Sequence, residues 1–586
     1  MRWKMMCIVW LICMSSWAQQ YQLTDILEDI YGQLAEYGIA MDDVAEQLME
    51  IAEHPIDLNQ TSAEELGQLG WLTDEQIDDI LLYQYQYGFV SVYDLQLIHS
   101  LKDYDIRNLL PFVEVKDERL EMEDKKIYFR EIFQYAKHEI TLRADARNIE
   151  DFESDPMYGK LRYRFDYQKK VQAGLTISRP TGEGLENMQY GGFVQLQDIG
   201  CIKNLSAGNF QANFGQGLVI GSPFKMGKNR WMSSGMNAKE GVRKFTSVGD
   251  DYQSFHGIGT TLRLGWAEVS AMYSIDQQKD SVWHHLVGVN ATGKWKRLKV
   301  GFTAIENLYS DSINAQSVVG VNARYNWGRV DLWGEMAATQ GKRWGLGGIV
   351  GMNFTPISDV NLLALYRYYS PYFDNPYAYA FSEKSRLNDE NGFYLGVDIR
   401  TIAKWRLAAY VDAFREGYDA MAQADFVVNK TYDMNWRVRI RQQVGKDTYA
   451  FRYRLVYRLP CWIFSTQADA NMVKTDKWNY GVSVFQDIEY QSATLPIVVQ
   501  LRVQAFDARQ WNNRIYAYEN DVLYAYSIPN VYGLGGRFWV NVRYKINDMF
   551  AIYLRVSESV YQQAWAAEHN RNNTRTDVHT LVRIKL

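Results

Sequence analysis

Arginines recurring at every second position are the most chemically pointed residues in the chain. Arg162 and Arg164, then Arg437, Arg439 and Arg441, then Arg452 and Arg454 are spaced by two, and Arg502, Arg543 and Arg583 stand in segments of the same kind. On an extended backbone, residues two apart share a face, so each set makes a row of permanently charged guanidinium groups. Such a wall can pair with carboxylates on neighbouring strands. It can also line a pathway or binding surface for anionic material such as glycans or nucleic acid. The sequence leaves both readings open.

No other chemistry-bearing set is comparably dense. The histidines (His54, His99, His138, His256, His284, His285, His569 and His579) are scattered, and adjacent His284 and His285 would face opposite sides of a strand. No metal-ligand spacing occurs. Cys7 and Cys13 fall in the first eighteen residues; Cys201 and Cys461 read as two unrelated buried or lumen-facing thiols, since nothing in their spacing requires a disulfide. Glu150, Asp151, Glu153 and Asp155 could offer oxygen ligands to Ca²⁺, but read more simply as a solvated loop. Gly215-Gln216-Gly217 reads as a strand or bulge glycine pair without the surroundings of a phosphate loop. No Ser–His–carboxylate set can be assembled. The expectation is a non-enzyme with no catalytic residue, metal or cofactor.

The elements that would position the arginines are strands. Leu161, Tyr163, Phe165 and Tyr167 alternate with Lys160, Arg162, Arg164 and Asp166; Trp436, Val438 and Ile440 alternate with Arg437, Arg439 and Arg441. The pattern recurs from 127 to 586 with short turns such as 169–170, 264–265, 327–328 and 546–548. After the first eighteen residues no apolar run is long enough for a membrane helix. Tyr and Trp number 41 and 18 and cluster near strand ends, as interfacial girdles require. These features predict a large antiparallel transmembrane β-barrel of about 20 to 24 strands. Its longer connections are 221–250, 370–391, 416–432, 521–533 and 559–576, and 221–250 is the first candidate to fold inward as a plug.

Two further segments precede the barrel. Residues 1–18 have Arg2 and Lys4, an apolar stretch 5–14, and small residues Ser16 and Ala18, the pattern of a secretory signal peptide. Residues 19–114 read as a small all-α domain, followed by a charged linker at 115–126. Helices are expected at 63–69 and 74–87, with Thr73 and Gln76 as a capping box and Gly88 as a C-cap, and again at 92–97 and 103–110. Two helix pairs in tandem resemble the helix-hairpin-helix module known mainly from DNA-binding and competence proteins. Its turns would be Gly70-Trp71-Leu72 and His99-Ser100 with Lys102.

Charge argues against DNA. Residues 19–114 hold 20 acidic and two basic side chains, a net of −18, whereas 115–586 carries +10. DNA affinity requires cations that displace condensed counterions, and both turns lack the second glycine that would bring backbone amides against a phosphate. The turns are therefore read as docking geometry. Opposed charges suggest that the acidic domain docks against the barrel's basic periplasmic mouth and gates it.

Three barrel segments, 208–228 (GNFQANFGQGLVIGSPFKMGK), 368–396 with Asp389-Glu390-Asn391-Gly392, and 514–537 (RIYAYENDVLYAYSIPNVYGLGGR), carry a wider likeness. With the helical module they resemble a family of Bacteroidetes outer-membrane proteins labelled by their helix-hairpin-helix domain. The resemblance implies a barrel fold, an outer-membrane location with a periplasmic N-terminal domain, and contact with outer-membrane lipid; it carries no activity. The functional expectation is a transport or envelope-assembly component with a periplasmic or outer-membrane protein partner. The alternatives are a competence-type nucleic-acid uptake protein and a plugged scaffold subunit of an envelope complex.

Overall fold

The computed structural model describes residues 26–27, 42–72, 74–101, 103–116, 129–147, 156–221, 228, 240–246, 248, 254–277, 283–309, 316–341, 343–357, 359–400, 404–428 and 431–586. The expected signal peptide, most of the 115–126 linker, Thr73, Lys102, the acidic 150–155 stretch and most of 222–239 lie outside them.

A closed antiparallel barrel occupies most of the chain. Twenty-four long strands follow one another in chain order, from Lys137–Arg147 to Thr574–Lys585. The last pairs with the first, Asp577 opposite Arg147 and Lys585 opposite Glu139, so no strand edge is left open. One four-residue strand, Gly241–Lys244, lies against the far end of Ile202–Asn213, beside the regular partner Phe255–Leu264. Two boundaries differ from the sequence reading. The barrel begins at Lys137, not 127, because a short helix, Phe129–Tyr135, intervenes. The presumed 416–432 loop is mostly the strand Gly417–Val427, whose alternation is masked by small residues (Ala420, Ala422, Ala424) on one face.

The strands form because their side chains sort by face at a period of two. In Trp283–Trp295, Leu286, Asn290 and Thr292 are buried inward, while Val287 and Val289 are exposed outward. The same outward apolar row continues through Val319 and Val321, Leu346 and Val350, Val482 and Val484, and Leu554 and Val556. Exposed tryptophans border this belt on both sides: Trp266, Trp295, Trp327 and Trp462 at one end, Trp283, Trp344 and Trp478 at the other. Trp283 and Trp295 bound one 13-residue strand. At about 3.3 Å per residue and a typical tilt of about 45° they stand about 28 Å apart along the barrel axis.

Because consecutive strands run in opposite directions, all connections of one kind share an end. The tight turns, such as 168–170, 265–266 and 328–329, lie at the end that also receives the N-terminal helices; this is the turn rim. The long connections 214–254, 370–389, 509–532 and 562–573 lie at the opposite loop rim. Cys201 and Cys461 sit in turn-rim connections as free thiols, Cys201 exposed and Cys461 half-buried, not inside the lumen.

The helices at the turn rim are Asp42–Glu53, Ala63–Gly67, Asp74–Gln86 and Asp103–Leu109, with 3₁₀ turns at Val92–Leu97 and Leu110–Phe112. A two-residue parallel pairing, Ile56–Asp57 with Val113–Glu114, ties the start of this module to its end. Ser62 caps Ala63–Gly67 by accepting from Glu65 N, and Ser91 and Asp94 form a capping box. The Ser91–Asp94 box and the extended Ile98 leave only six residues between them, enough for a 3₁₀ turn. Gly70 and Gly88 end their helices at positive φ (77° and 67°), which only glycine adopts without cost. The expected Thr73–Gln76 capping box lies outside the described residues, since Thr73 does; the Gln76 amide donates to Ser100 O and Asp105 Oδ2 across the module.

Candidate functional site

The chain fills most of the barrel lumen from both ends. At the turn rim the acidic helices meet the basic wall. Glu50 bonds Arg162 and Arg164 and lies 3.2 Å from Lys244 Nζ. Glu53 bonds Arg583, with Lys585 at 3.5 Å. Asp105 receives Arg400 Nη1 at 2.8 and 3.0 Å, and Arg107 shares Asp433 with Arg458. Lys169 reaches Glu65 at 2.8 Å on the outer edge. Glu53 shows the electrostatics plainly. Burial opposes its charge, yet Arg583, Arg543 and Lys585 hold its carboxyl at about 2.

From the loop rim, the 509–532 connection descends the whole lumen. Arg537 grips Glu519 with two bonds of 2.7 and 3.0 Å, and Arg555 bonds Glu519 and Asp521. His579 lies 2.8 Å from Asp521, and Arg502 donates to Tyr518 O while pairing with Asp487. At the bottom, Tyr524 donates to Glu139 at 2.9 Å, with Arg162 stacked over its ring. Here Tyr518, Val522, Leu523, Tyr524 and Ala525 join one apolar core with Leu48, Trp71, Leu95, Leu109 and Phe112 of the helical module. A plug from one end and a loop from the other thus share an interior.

The opposite side of the lumen is closed by 214–221 and 371–383. Phe214, Leu218, Val219 and Ile220 pack with Phe373, Tyr377 and Ala380 against inward residues of the wall such as Leu286, Trp333 and Leu363. Gly215-Gln216-Gly217 is not a strand or bulge pair. Both glycines have positive φ, and the turn points its amides at Glu335, which accepts from Gln216, Leu218 and Val219. It is an anion-binding nest occupied by the chain's own carboxylate. Beside it lies a fully buried charge knot. Arg367 bonds Glu390 and, through both terminal nitrogens, Asp412 (2.7 and 3.1 Å); Lys228 bridges Asp412 and Glu383; Arg439 pairs with Asp419.

The ten arginines of the candidate basic lumen divide by neighbour. Arg162, Arg164 and Arg583 meet the helical module directly, and Arg543 acts on Glu53 by charge. Arg502 clasps the descending loop, and Arg454 donates to Ser465. Arg437, Arg439, Arg441 and Arg452 line a residual cavity of about 140 Å³ between the two fillings. Of the helical turn residues, Trp71 and Leu72 are core, Trp71 packing on Phe112 at 5.0 Å. Ser100 is buried and His99 exposed. Sequence reasoning missed Arg367, Arg400, Arg537 and Arg555, and the carboxylates they meet. Arg367 and Asp412 sit on strands, and Arg400 meets Asp105 of the helical module; the partners of Arg537 and Arg555, Glu519 and Asp521, depend on a loop whose inward course has no local signal.

A closed antiparallel barrel with a filled lumen is the class these features define. No protein-family model and no curated protein matches the chain. Among solved structures, OccK3 (OpdO) of Pseudomonas aeruginosa is 13% identical over 55% of this chain and 94% of its own, with a TM-score of 0.29. The copper transporter OprC is 12% identical over 77% and 80%, at 0.38, and the P pilus usher PapC translocation pore 8% over 77% and 99%, at 0.37.

Proposed function

We propose that the chain is an outer-membrane β-barrel that works as a gated transport component. Its turn rim faces the periplasm, and its N-terminal helices, a helix-hairpin-helix pair, form the gate. The apolar belt between two tryptophan girdles supports the membrane assignment: its height of about 28 Å matches a hydrocarbon core of about 30 Å, and the ring leaves no unpaired backbone edge for lipid to meet. The observation that carries the gating reading is the seam itself, where Glu50, Glu53, Asp105 and Arg107 bond three strands of the rim and the turn that carries Arg400. The contacts of Glu50, Glu53 and Arg107 retain partial solvent access and can be broken and remade. The buried Trp71, Leu72 and Ser100 leave the hairpin turns to packing, which supports docking over DNA contact.

Planar-bilayer recording of the full chain tests this. The wild type is expected to conduct rarely, and the E50K/E53K double variant, which sets like charges against Arg162, Arg164 and Arg583, to conduct in long openings. A cleavable thiol cross-linker of about 10 Å joining D105C to R400C, long enough to replace the arginine's reach, is expected to abolish openings until it is cleaved. A second reading, a plugged scaffold with no conduction, is favoured by the apolar core shared by the helices and the 518–525 segment. Silence of both wild type and E50K/E53K, with the double variant still correctly folded, would decide for the scaffold.

A further inference from the structure

The helical module carries an apolar face that its own core does not absorb. Leu82, Tyr85, Tyr87, Val90, Tyr93 and Leu97 are between 51% and 89% exposed. Single exposed hydrophobics are ordinary on any surface. Six within sixteen residues, on a module outside the lipid belt, make a patch, and patches of this kind mark interaction surfaces.

Two different periods build the face. In the helix Asp74–Gln86, Ile77, Ile80 and Leu81 pack on the core, so Leu82 and Tyr85, three apart, share the outer side. In the 3₁₀ turn Val92–Leu97, a period of three sends Val92, Leu95 and Ile98 inward and leaves Tyr93 and Leu97 outside. Tyr83 joins the two stretches, its ring 5.2 Å from that of Tyr87 and 4.9 Å from that of buried Phe89. The backbone beneath is clamped. The Asn59 side chain accepts from Phe89 N at 2.7 Å and donates to Phe89 O at 2.8 Å, and Asp94 accepts from Val90 N and Ser91 N at 2.7 and 3.0 Å. The face is thus held in one conformation in advance, which lowers the ordering cost of binding.

Charge selects the occupant. From Pro55 to Leu101 the chain has eight carboxylates and no Lys or Arg. Anionic lipid would bring like charge to this surface, and so would a second copy of the module. A cationic protein surface brings the opposite charge. Its Lys and Arg side chains meet three tyrosine rings, Tyr85, Tyr87 and Tyr93, on which cations stack, and its apolar anchors meet Leu82, Val90 and Leu97.

We propose that the 82–97 face docks a periplasmic protein whose contact surface has apolar anchors ringed by Lys and Arg. The partner's compartment rests on the reading that the turn rim faces the periplasm; the chemistry of the contact does not, and gating enters neither.

Two experiments on the full-length chain test this. In the native envelope, p-benzoylphenylalanine replaces Tyr85 or Tyr93 and is photoactivated. The expected product is an adduct with a different protein, joined through a segment in which Lys and Arg outnumber Asp and Glu. Val90→Lys, which sets a like charge among the anchors, should lower its yield about tenfold. An adduct with a second copy of the chain, with lipid alone or with a net acidic segment would overturn the proposal, as would no adduct. In nanodiscs, with protein-free discs as the blank, a short amphipathic helical peptide of leucine and lysine is titrated. Saturable binding is expected, about tenfold weaker for Tyr85→Ser and weaker again at high salt. The leucine–glutamate analogue should not bind, and the serine–lysine analogue should bind about tenfold more weakly than the leucine–lysine peptide. Equal binding of the lysine and glutamate peptides, or no loss on Tyr85→Ser, would also overturn it. Labelling of Cys201, exposed at the turn rim, by a large membrane-impermeant maleimide on intact cells reads the orientation separately. A labelled Cys201 would refute the periplasmic compartment, while the titration still decides the contact.

Discussion

The two charged regions of the lumen are built from the same residue types to different ends. In the knot, Arg367 and Asp412 are both 0% exposed and are joined by two parallel hydrogen bonds. In the rim seam, Glu50 and Glu53 keep 15% and 18% of their side-chain surface, and their partners come from distant strands. Removing a partner from a dry pair strands a charge in low dielectric, whereas water and salt soften the loss in a half-wet one. Loss of one partner is therefore expected to cost more in the knot than in the seam.

Substitutions can break this contrast. Asp412→Ala takes a carboxylate from both Arg367 and Lys228 and is expected to destabilise the barrel by about 3–5 kcal/mol, read from urea unfolding in detergent. Salt should separate the regions more cleanly. Going from 0.1 to 1 M shortens screening from about 10 Å to about 3 Å, so protease cleavage of the helical module should accelerate while the barrel's melting temperature holds. Acid gives a further distinction. Glu53 lies at about 2 in the folded protein, below its ordinary 4.5, so its contribution is full above 4.5 and is lost as pH falls towards 2. Protection of the module should decline across that window, and Glu53→Gln should flatten the decline. Smallest is Lys169→Ala, which removes a half-exposed lysine from Glu65 and should change stability by less than about 1 kcal/mol. An effect of Lys169→Ala as large as that of Asp412→Ala would erase the distinction between the two regions.

The strands were legible because a period of two is imposed on both faces at once: apolar residues such as Val287 and Val289 outside, polar ones such as Asn290 and Thr292 inside. The helical boundaries at Gly70 and Gly88 were legible for a similar reason, since each glycine acts within a turn of itself. The lumen's contents were not. Glu335 meets 216–219 from more than a hundred positions away, and Tyr524 meets Glu139 across 385. Nothing within 509–532 marks it as descending; its acids Glu519 and Asp521 would be equally at home in solvent. Opposed net charges did foretell that helices and rim belong together, because charge balance needs no register. Which carboxylate meets which arginine does need one.

The shared core at the bottom of the lumen also sets a schedule. The helical module belongs to the first fifth of the chain, yet Tyr518, Val522, Leu523 and Tyr524, which complete its interior, arrive after some four hundred further residues. Until that loop descends, the module has an open apolar side, and it cannot reach its full stability alone. A chain assembled in this order completes the interior of its first segment last.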